Sequence, residues 1–422
     1  MDDRITELRG YEILDSRGNP TLAVRATLGD GSVGLARVPA GASTGVHEAR
    51  ELRDGGRRYG GKGVRHAIAH VDGVIGPAVA GRSARDQRGL DETLVHLDGS
   101  EQKERLGANA LLGVSLAVAT AAAHALGLPL YRYWGGSQAA TLPVPQLNVL
   151  NGGAHADNNI DLQEFMLLPV GASSFHEAMR MASETYHALQ ARLRAAHLRT
   201  AVGDEGGFAP DLGSDEEALD LLVAAIGDAG LRAGEDVALG VDAAVSAFYR
   251  DGRYHLRERA LTAEQLIDWY AQLADAYPIV SLEDGLGEDD WEGWQVLNQR
   301  LGDRLQIVGD DIFVTNPDRL ERGIREQAAN AILIKLNQIG TVTETFDTMA
   351  MAARAGWRAV VSHRSGETED TVIADLACAT NAGQLKSGAP ARSERVAKYN
   401  RLLLMEQEDP GLRYAGRGAL AR

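Results

Sequence analysis

Six apolar runs in the second half of this 422-residue chain each stop at an ionisable side chain, and that recurrence limits the available folds more than any other feature. Val237-Ala-Leu-Gly-Val reaches Asp242, Pro278-Ile-Val-Ser-Leu reaches Glu283, and Leu305-Gln-Ile-Val-Gly reaches Asp310. Ala331-Ile-Leu-Ile reaches Lys335, Arg358-Ala-Val-Val-Ser reaches His363, and Gly383-Gln-Leu reaches Lys386. Successive ends lie 41, 27, 25, 28 and 23 residues apart, close to the length of one strand plus one helix. A single charge at a strand end is ordinarily a cap or a solvated edge. Six in register point instead to a (β/α)8 barrel, in which strand C-termini converge on one mouth and build the active site there.

The side chains gathered at that mouth carry chemistry. Asp242, Glu283 and Asp310 are hard oxygen donors with no thiol or imidazole among them, a set that suits Mg2+ rather than zinc. Simple pairing with Lys or Arg is the plainer use of three carboxylates, but consecutive strand ends bring all three to one rim. Lys335 and Lys386 share it. An ammonium among isoleucines and leucines is costly to desolvate, and both burial and a neighbouring divalent cation lower a lysine's pKa toward use as a base. Lys335 is therefore expected to be neutral, with a lysine reaching out to water at the rim as the structural alternative.

Composition narrows the partners. Acidic residues outnumber Lys and Arg 59 to 43, and the net charge of -16 argues against nucleic acid or an anionic membrane. The one cysteine, Cys378, excludes an intrachain disulfide framework and reads as core. The N-terminal MDDRITELRG has charges where an export signal needs an apolar centre, so a cytoplasmic protein is expected. Residues 106–131 lack any Asp, Glu, Lys or Arg, yet Asn109, Ser115, Thr120 and His124 interrupt them, and a buried helix fits better than a membrane span. Strand-like runs at 21–27 and 32–38 flank Gly29-Asp-Gly and predict a hairpin. Helical patterns follow over 65–126, and Gly135-Gly-Ser-Gln with Pro143 and Pro145 marks a junction. The expected class is α/β, with an α+β capping domain over 1–134 and a barrel over 142–422 that carries the active site.

Longer motifs carry a resemblance. Ile13-Leu-Asp-Ser-Arg-Gly-Asn-Pro, Gly41-Ala-Ser-Thr-Gly, Asn151-Gly-Gly-Ala-His-Ala-Asp-Asn-Asn, Gln163-Glu-Phe-Met and Val202-Gly-Asp-Glu-Gly-Gly-Phe-Ala-Pro occur in order. Ser281-Leu-Glu-Asp-Gly, Val308-Gly-Asp-Asp, Ile334-Lys-Leu-Asn-Gln-Ile-Gly and Ser362-His-Arg-Ser-Gly-Glu-Thr-Glu-Asp continue the series. Along essentially its whole length the chain resembles the enolases, the phosphopyruvate hydratases of glycolysis. The resemblance implies an enolase-type modified barrel and a homodimer, or an octamer built from dimers. It implies dehydration of 2-phosphoglycerate to phosphoenolpyruvate through a metal-stabilised aci-carboxylate, with two Mg2+ per active site. A Lys or His base with one or two Mg2+ ions is the general scheme of that superfamily.

Residue by residue, the resemblance makes Lys335 the base at C2 and Glu205 the acid at the C3 hydroxyl, with Glu164 beside it. Asp242, Glu283 and Asp310 match the ligands of the first Mg2+, and Ser43, in a mobile loop, helps hold the second. Arg364, Ser365 and His155 match the phosphate-binding set, Lys386 meets the substrate carboxylate, and His363 stands near the C3 end.

Other uses of the same residues are open. Gly41-Ala-Ser43-Thr-Gly45 satisfies the pattern of a hydrolase nucleophile elbow, and a non-catalytic scaffold is a further alternative. Two departures, Ala40 for the usual Ser and Ala247 for the usual Glu, suit an enolase-like paralogue that forms carboxyphosphonoenolpyruvate in a phosphonate pathway. The acidic run 284–292 is expected to be a solvated loop, and Arg395 and Lys398 are expected on a surface helix.

Overall fold

The computed structural model describes residues 2–41, 45–153, 158–256 and 259–421. Its N-terminal part is an antiparallel sheet of β1 (Ile5–Leu14), β2 (Pro20–Leu28) and β3 (Val33–Arg37), in the order β1-β2-β3. Gly31, at φ +87, makes the turn of the predicted hairpin. Alternation in β3 buries Gly34 and Ala36, and this face receives the helix Ala108–Ala125. That helix is long and apolar enough to cross a membrane, but 83% of it is buried inside the protein. The helical stretch over 65–126 breaks into shorter pieces before it, including Arg65–His70 and Gln87–Asp98.

Eight strands then close into a barrel. They are β4 (Val144–Asn151), β5 (Glu164–Leu168), β6 (Ala238–Asp242), β7 (Ile279–Glu283), β8 (Gln306–Gly309), β9 (Ala331–Ile334), β10 (Arg358–Ser362) and β11 (Gly383–Lys386), with β11 pairing back to β4. Pro145 lies within β4 rather than in a connecting loop. Pairings from β6 to β11 and on to β4 are parallel. β5 runs antiparallel to both neighbours, which places its first residue, Glu164, opposite Asn151 on one side and Asp242 on the other. The barrel thus departs from an all-parallel one at the strand that delivers Glu164.

The period-2 alternation of strand side chains explains which residues reach the mouth. Gln384 faces inward, so Lys386 does too. Ser281 and Glu283 repeat the relation. Below the charged layer, Gln146, Gln306 and Gln384 hydrogen bond to one another at 2.8–2.9 Å, so that these buried amides are satisfied inside the barrel. The outer helices begin at side-chain caps: Ser174, Ser214, Asp290 and Thr341 accept from backbone N–H groups, and Thr262 with Gln265 forms a capping box. Each such cap contributes about 1 kcal/mol.

The N-terminal part sits over the mouth. Ala40 and Gly366 exchange backbone hydrogen bonds at 2.7 and 2.9 Å, Arg37 N donates to Asp370, and Glu48 pairs with Arg364.

Candidate active site

The mouth encloses a cavity of about 240 Å³ whose lining includes Glu48, Glu164, Glu205, Asp242, Asp310, Lys335, His363, Arg364, Ser365 and Lys386. The predicted residues within the described part of the chain therefore meet in one place, with Glu283 held just behind by Lys386. Ser43 and His155 lie outside the described residues.

Lys386 is the hub. Its ammonium lies 2.9 Å from Asp242, 2.8 Å from Glu283 and 3.0 Å from Glu164, all four side chains being buried. Burial works against its charge, but Asp242 and the two glutamates outweigh burial and raise its pKa well above the ordinary value. Glu283 moves up as well, driven by burial and then by Asp242. Its Oε2 is buried and has no hydrogen-bond partner among the described residues. Three carboxylates converging on one cation, with the second oxygen of Glu283 unpartnered among the described residues, form a hard-oxygen donor set that fits a divalent cation such as Mg2+.

Asp310 is shared. It pairs with Lys335 and accepts from Gln338 at 2.8 Å. Burial alone would raise its carboxyl, but Lys335 prevails and the net direction is downward. The expectation of a neutral Lys335 is tied to a neighbouring divalent cation. With Asp310 beside it, burial pushes the Lys335 pKa down and the Asp310 carboxylate outweighs burial, so the net direction is upward. Desolvation and a nearby cation favour neutrality, whereas a carboxylate in direct contact opposes it. Arg364 and Lys386 act in the neutralising direction.

Among the described residues, the three carboxylates whose oxygens come within 4.8 Å of one another are Asp284, Asp310 and Asp311 rather than the expected trio. Asp284 is occupied structurally, accepting from the backbone N–H of Asp310 and of Asp311 at 2.9 and 3.1 Å. It is buried, as are Gly285 to Gly287, so the expectation of a solvated loop after Glu283 holds only at Asp289 and Glu292. Burial, then Asp310, pushes the Asp311 carboxyl up to about 7.

Across the cavity, Glu205 accepts from Asn148 Nδ2 at 3.1 Å and lies 3.4 Å from His363 Nε2. Burial outweighs the pull of Glu205 and lowers the His363 pKa to about 4, leaving the ring neutral. Arg364 donates to Glu48 at 2.9 Å and to Asn337 at 3.0 Å, and Ala247 lines the cavity.

Arg395 and Lys398 overturn the surface-helix expectation. Both are buried, because their helix, Ser393–Glu408, turns its first two turns toward the loops around the mouth. Lys398 pairs with Glu367 at 2.8 Å. Glu48, Gln338 and Asn337 were not singled out by sequence reasoning either. Gln338 and Asn337 lie inside the Ile334-Lys-Leu-Asn-Gln motif, which is the signal that points to them. Glu48 meets Arg364 across 316 residues of chain, and no local pattern reveals that pairing.

No helix follows Gly45 closely among the described residues; the first turn of one is Arg58–Gly61. A nucleophile elbow at Ser43 needs a helix directly after it, so the hydrolase alternative loses its structural context.

Comparison with known proteins adds two findings. The profile described as "Enolase, N-terminal domain" matches residues 5–134, and "Enolase, C-terminal TIM barrel domain" matches 139–421. The chain is also similar to a protein named Enolase from Acidothermus cellulolyticus, 61% identical over 419 residues, spanning 99% of this chain and 98% of that one.

Proposed function

Because the chain belongs to the enolase family and is an enzyme that requires a divalent metal, we propose that it converts 2-phosphoglycerate to phosphoenolpyruvate and water, with two Mg2+ per active site. Asp242, Glu283 and Asp310 would hold one ion and Ser43 would help hold the other, and together the ions would offset the second negative charge that builds on the substrate carboxylate. The observation that carries the reading is the opposition, in one buried cavity, of Lys335 among carboxylates to Glu205 beside His363.

Each residue then has a task set by its chemistry. Lys335 Nζ takes the proton from C2, which it does only after giving up its own proton and its pairing with Asp310. The electron pair left at C2 forms the C2–C3 double bond as the C3–O bond breaks. Glu205 supplies the proton that turns the departing hydroxide into water, with Glu164 next to it. Arg364 and Ser365 bind phosphate, together with His155, since a guanidinium offers the forked donors that a phosphate accepts. Lys386 meets the substrate carboxylate.

Ala247, on the cavity wall, favours a second reading in which the substrate is the phosphonate analogue and the product carboxyphosphonoenolpyruvate. Ultraviolet absorbance of the enol product, followed with Mg2+ and with either substrate, separates the two. Turnover of 2-phosphoglycerate that stops on adding EDTA is expected. Lys335→Ala should lower it by about 1000-fold while the circular dichroism spectrum stays native. Turnover that survives EDTA, or survives Lys335→Ala, would reject the proposal.

A further inference from the structure

Behind the cavity wall lies a guanidinium that no step above uses. Arg395 is fully buried, and its two terminal nitrogens donate four hydrogen bonds. Nη1 reaches His363 Nδ1 and the Arg364 carbonyl, both at 2.6 Å. Nη2 reaches the Ser365 carbonyl at 2.6 Å and the Asp204 carbonyl at 3.1 Å. One planar group thus ties together the loop that carries Glu205 and the segment that carries His363, Arg364 and Ser365. The packing leaves it little room: a Cβ on Gly388 would lie 3.0 Å from Arg395 Cδ and 2.6 Å from the Glu205 carbonyl oxygen.

The contact with His363 has a consequence for protons. A guanidinium is always charged and only donates, so Nδ1 facing it must present a lone pair. A neutral imidazole then carries its proton on Nε2, the nitrogen facing Glu205 Oε2 at 3.4 Å. We propose that Arg395 is a positioning residue of the reaction: it fixes His363 as the Nε2–H tautomer pointing at Glu205 and clamps the two loops that carry the acid and the phosphate-binding pair. This inference rests on the role given to Glu205 above. In the tautomer so fixed, His363 offers Glu205 a donor and cannot take the Glu205 proton, so the proton is left for the departing hydroxyl.

The charged groups that face the His363 ring are Glu205, Arg395 and Glu367, the last neutralised by Lys398, with Lys386 lining the same cavity from the neighbouring strand. Removing Arg395 takes away the cation in contact with Nδ1 and frees that nitrogen to accept a proton. Arg395→Met should therefore move the His363 pKa upward, burial still holding it below the ordinary value, whereas Arg395→Lys keeps a charge and a donor at Nδ1 but cannot span three carbonyls.

Nitrogen-15 NMR of the imidazoles in the Mg2+-loaded wild type, with His363 assigned by comparison with His363→Gln, reads the tautomer directly. A neutral Nε2–H ring from pH 5 to 7 is expected, and an Nδ1–H ring or an imidazolium overturns the proposal whatever the activity is. In kinetics, Arg395→Met should lose about 100-fold in kcat and show an acid limb shifted to higher pH than in the wild type, a shift that disappears when His363→Gln is added. Arg395→Lys should lose rate without that shift. A methionine variant whose pH profile superimposes on the wild type also overturns the proposal, and if that variant does not fold the wild-type spectrum decides. Absence of 2-phosphoglycerate turnover in the wild type would reject the proposed reaction and leave the tautomer measurement standing.

Discussion

Glu367 and Lys398 show how much a buried pair can hold in this molecule. Glu367 accepts from the Thr368 and Arg364 backbone N–H groups and from Lys398, which also donates to the Thr368 and Glu394 carbonyls. Burial would raise the Glu367 carboxyl, but Lys398 and then Arg395 outweigh it and hold its pKa below the ordinary 4.5. A lowered acid binds its proton more weakly folded than unfolded, so its stabilisation is present above pH 4.5 and is lost as pH falls through the folded value. Lys398→Met should cost about 3–5 kcal/mol in chemical denaturation, since it leaves a buried carboxylate unpaired. It should also make the rise in stability with pH below 4.5 shallower by the share that Glu367 contributes; a variant whose pH profile parallels the wild type would count against the pairing. At this scale the site was partly legible. Lys335, His363 and Lys386 end apolar runs and could be read as inward-facing, but Arg395 and Lys398 could not. Helical spacing says which residues share a face, not what that face meets, and their partners lie some 30 residues back at the barrel mouth.

Gly34 decides whether sheet and helix can touch. A Cβ at this β3 position would lie 2.0 Å from the Ala117 carbonyl oxygen and 2.4 Å from Ala121 N, both backbone atoms of the helix Ala108–Ala125 that cannot swing aside. Gly34→Ala must push the helix off β2 and β3 and open the alanine-lined contact, at about 3 kcal/mol or more. Gly73 is the control: no atom comes within 4 Å of its Cβ position and its backbone is helical, so Gly73→Ala should be neutral or gain up to about 1 kcal/mol. Thermal melts of the two variants check this, and equal melting temperatures would show that the helix is not locked to the sheet at Gly34. Elements themselves were readable where period and turn chemistry agreed, as at the β2–β3 hairpin and at the strand ends from β6 to β11. The direction of β5 was not. An apolar run such as Phe165-Met-Leu-Leu reads the same in either direction, and only the pairing of Glu164 with Asp242 shows that its start, not its end, faces the mouth.

For the whole molecule, the dominant tension is the charge stored between barrel and cap. Glu48, Glu164, Glu205, Asp242, Asp284, Glu288, Asp310 and Asp311 line the cavity against Lys335, Arg364 and Lys386, in a chain already at -16. The contacts that close the cap over this charge join residues far apart in the chain, 333 positions for Arg37 with Asp370 and 290 for Glu48 with Gln338, and that distance is why the cavity roof could not be read from local pattern. A cation bound by the folded carboxylates and not by the unfolded chain stabilises by mass action, about 2.7 kcal/mol at a hundredfold excess over its dissociation constant. Mg2+ should therefore raise the melting temperature by a few degrees, while NaCl at matched ionic strength should not, because screening acts on exposed charges and these are buried. Asp242→Asn should remove most of the Mg2+ shift. It takes one carboxylate from the set around Lys386 and touches two side-chain hydrogen bonds, from Lys386 Nζ at 2.9 Å and from the Ala244 N–H at 3.1 Å. An equal shift in wild type and Asp242→Asn would mean that the ion binds elsewhere on this acidic surface, and the assignment of Asp242 as a ligand would fall with it.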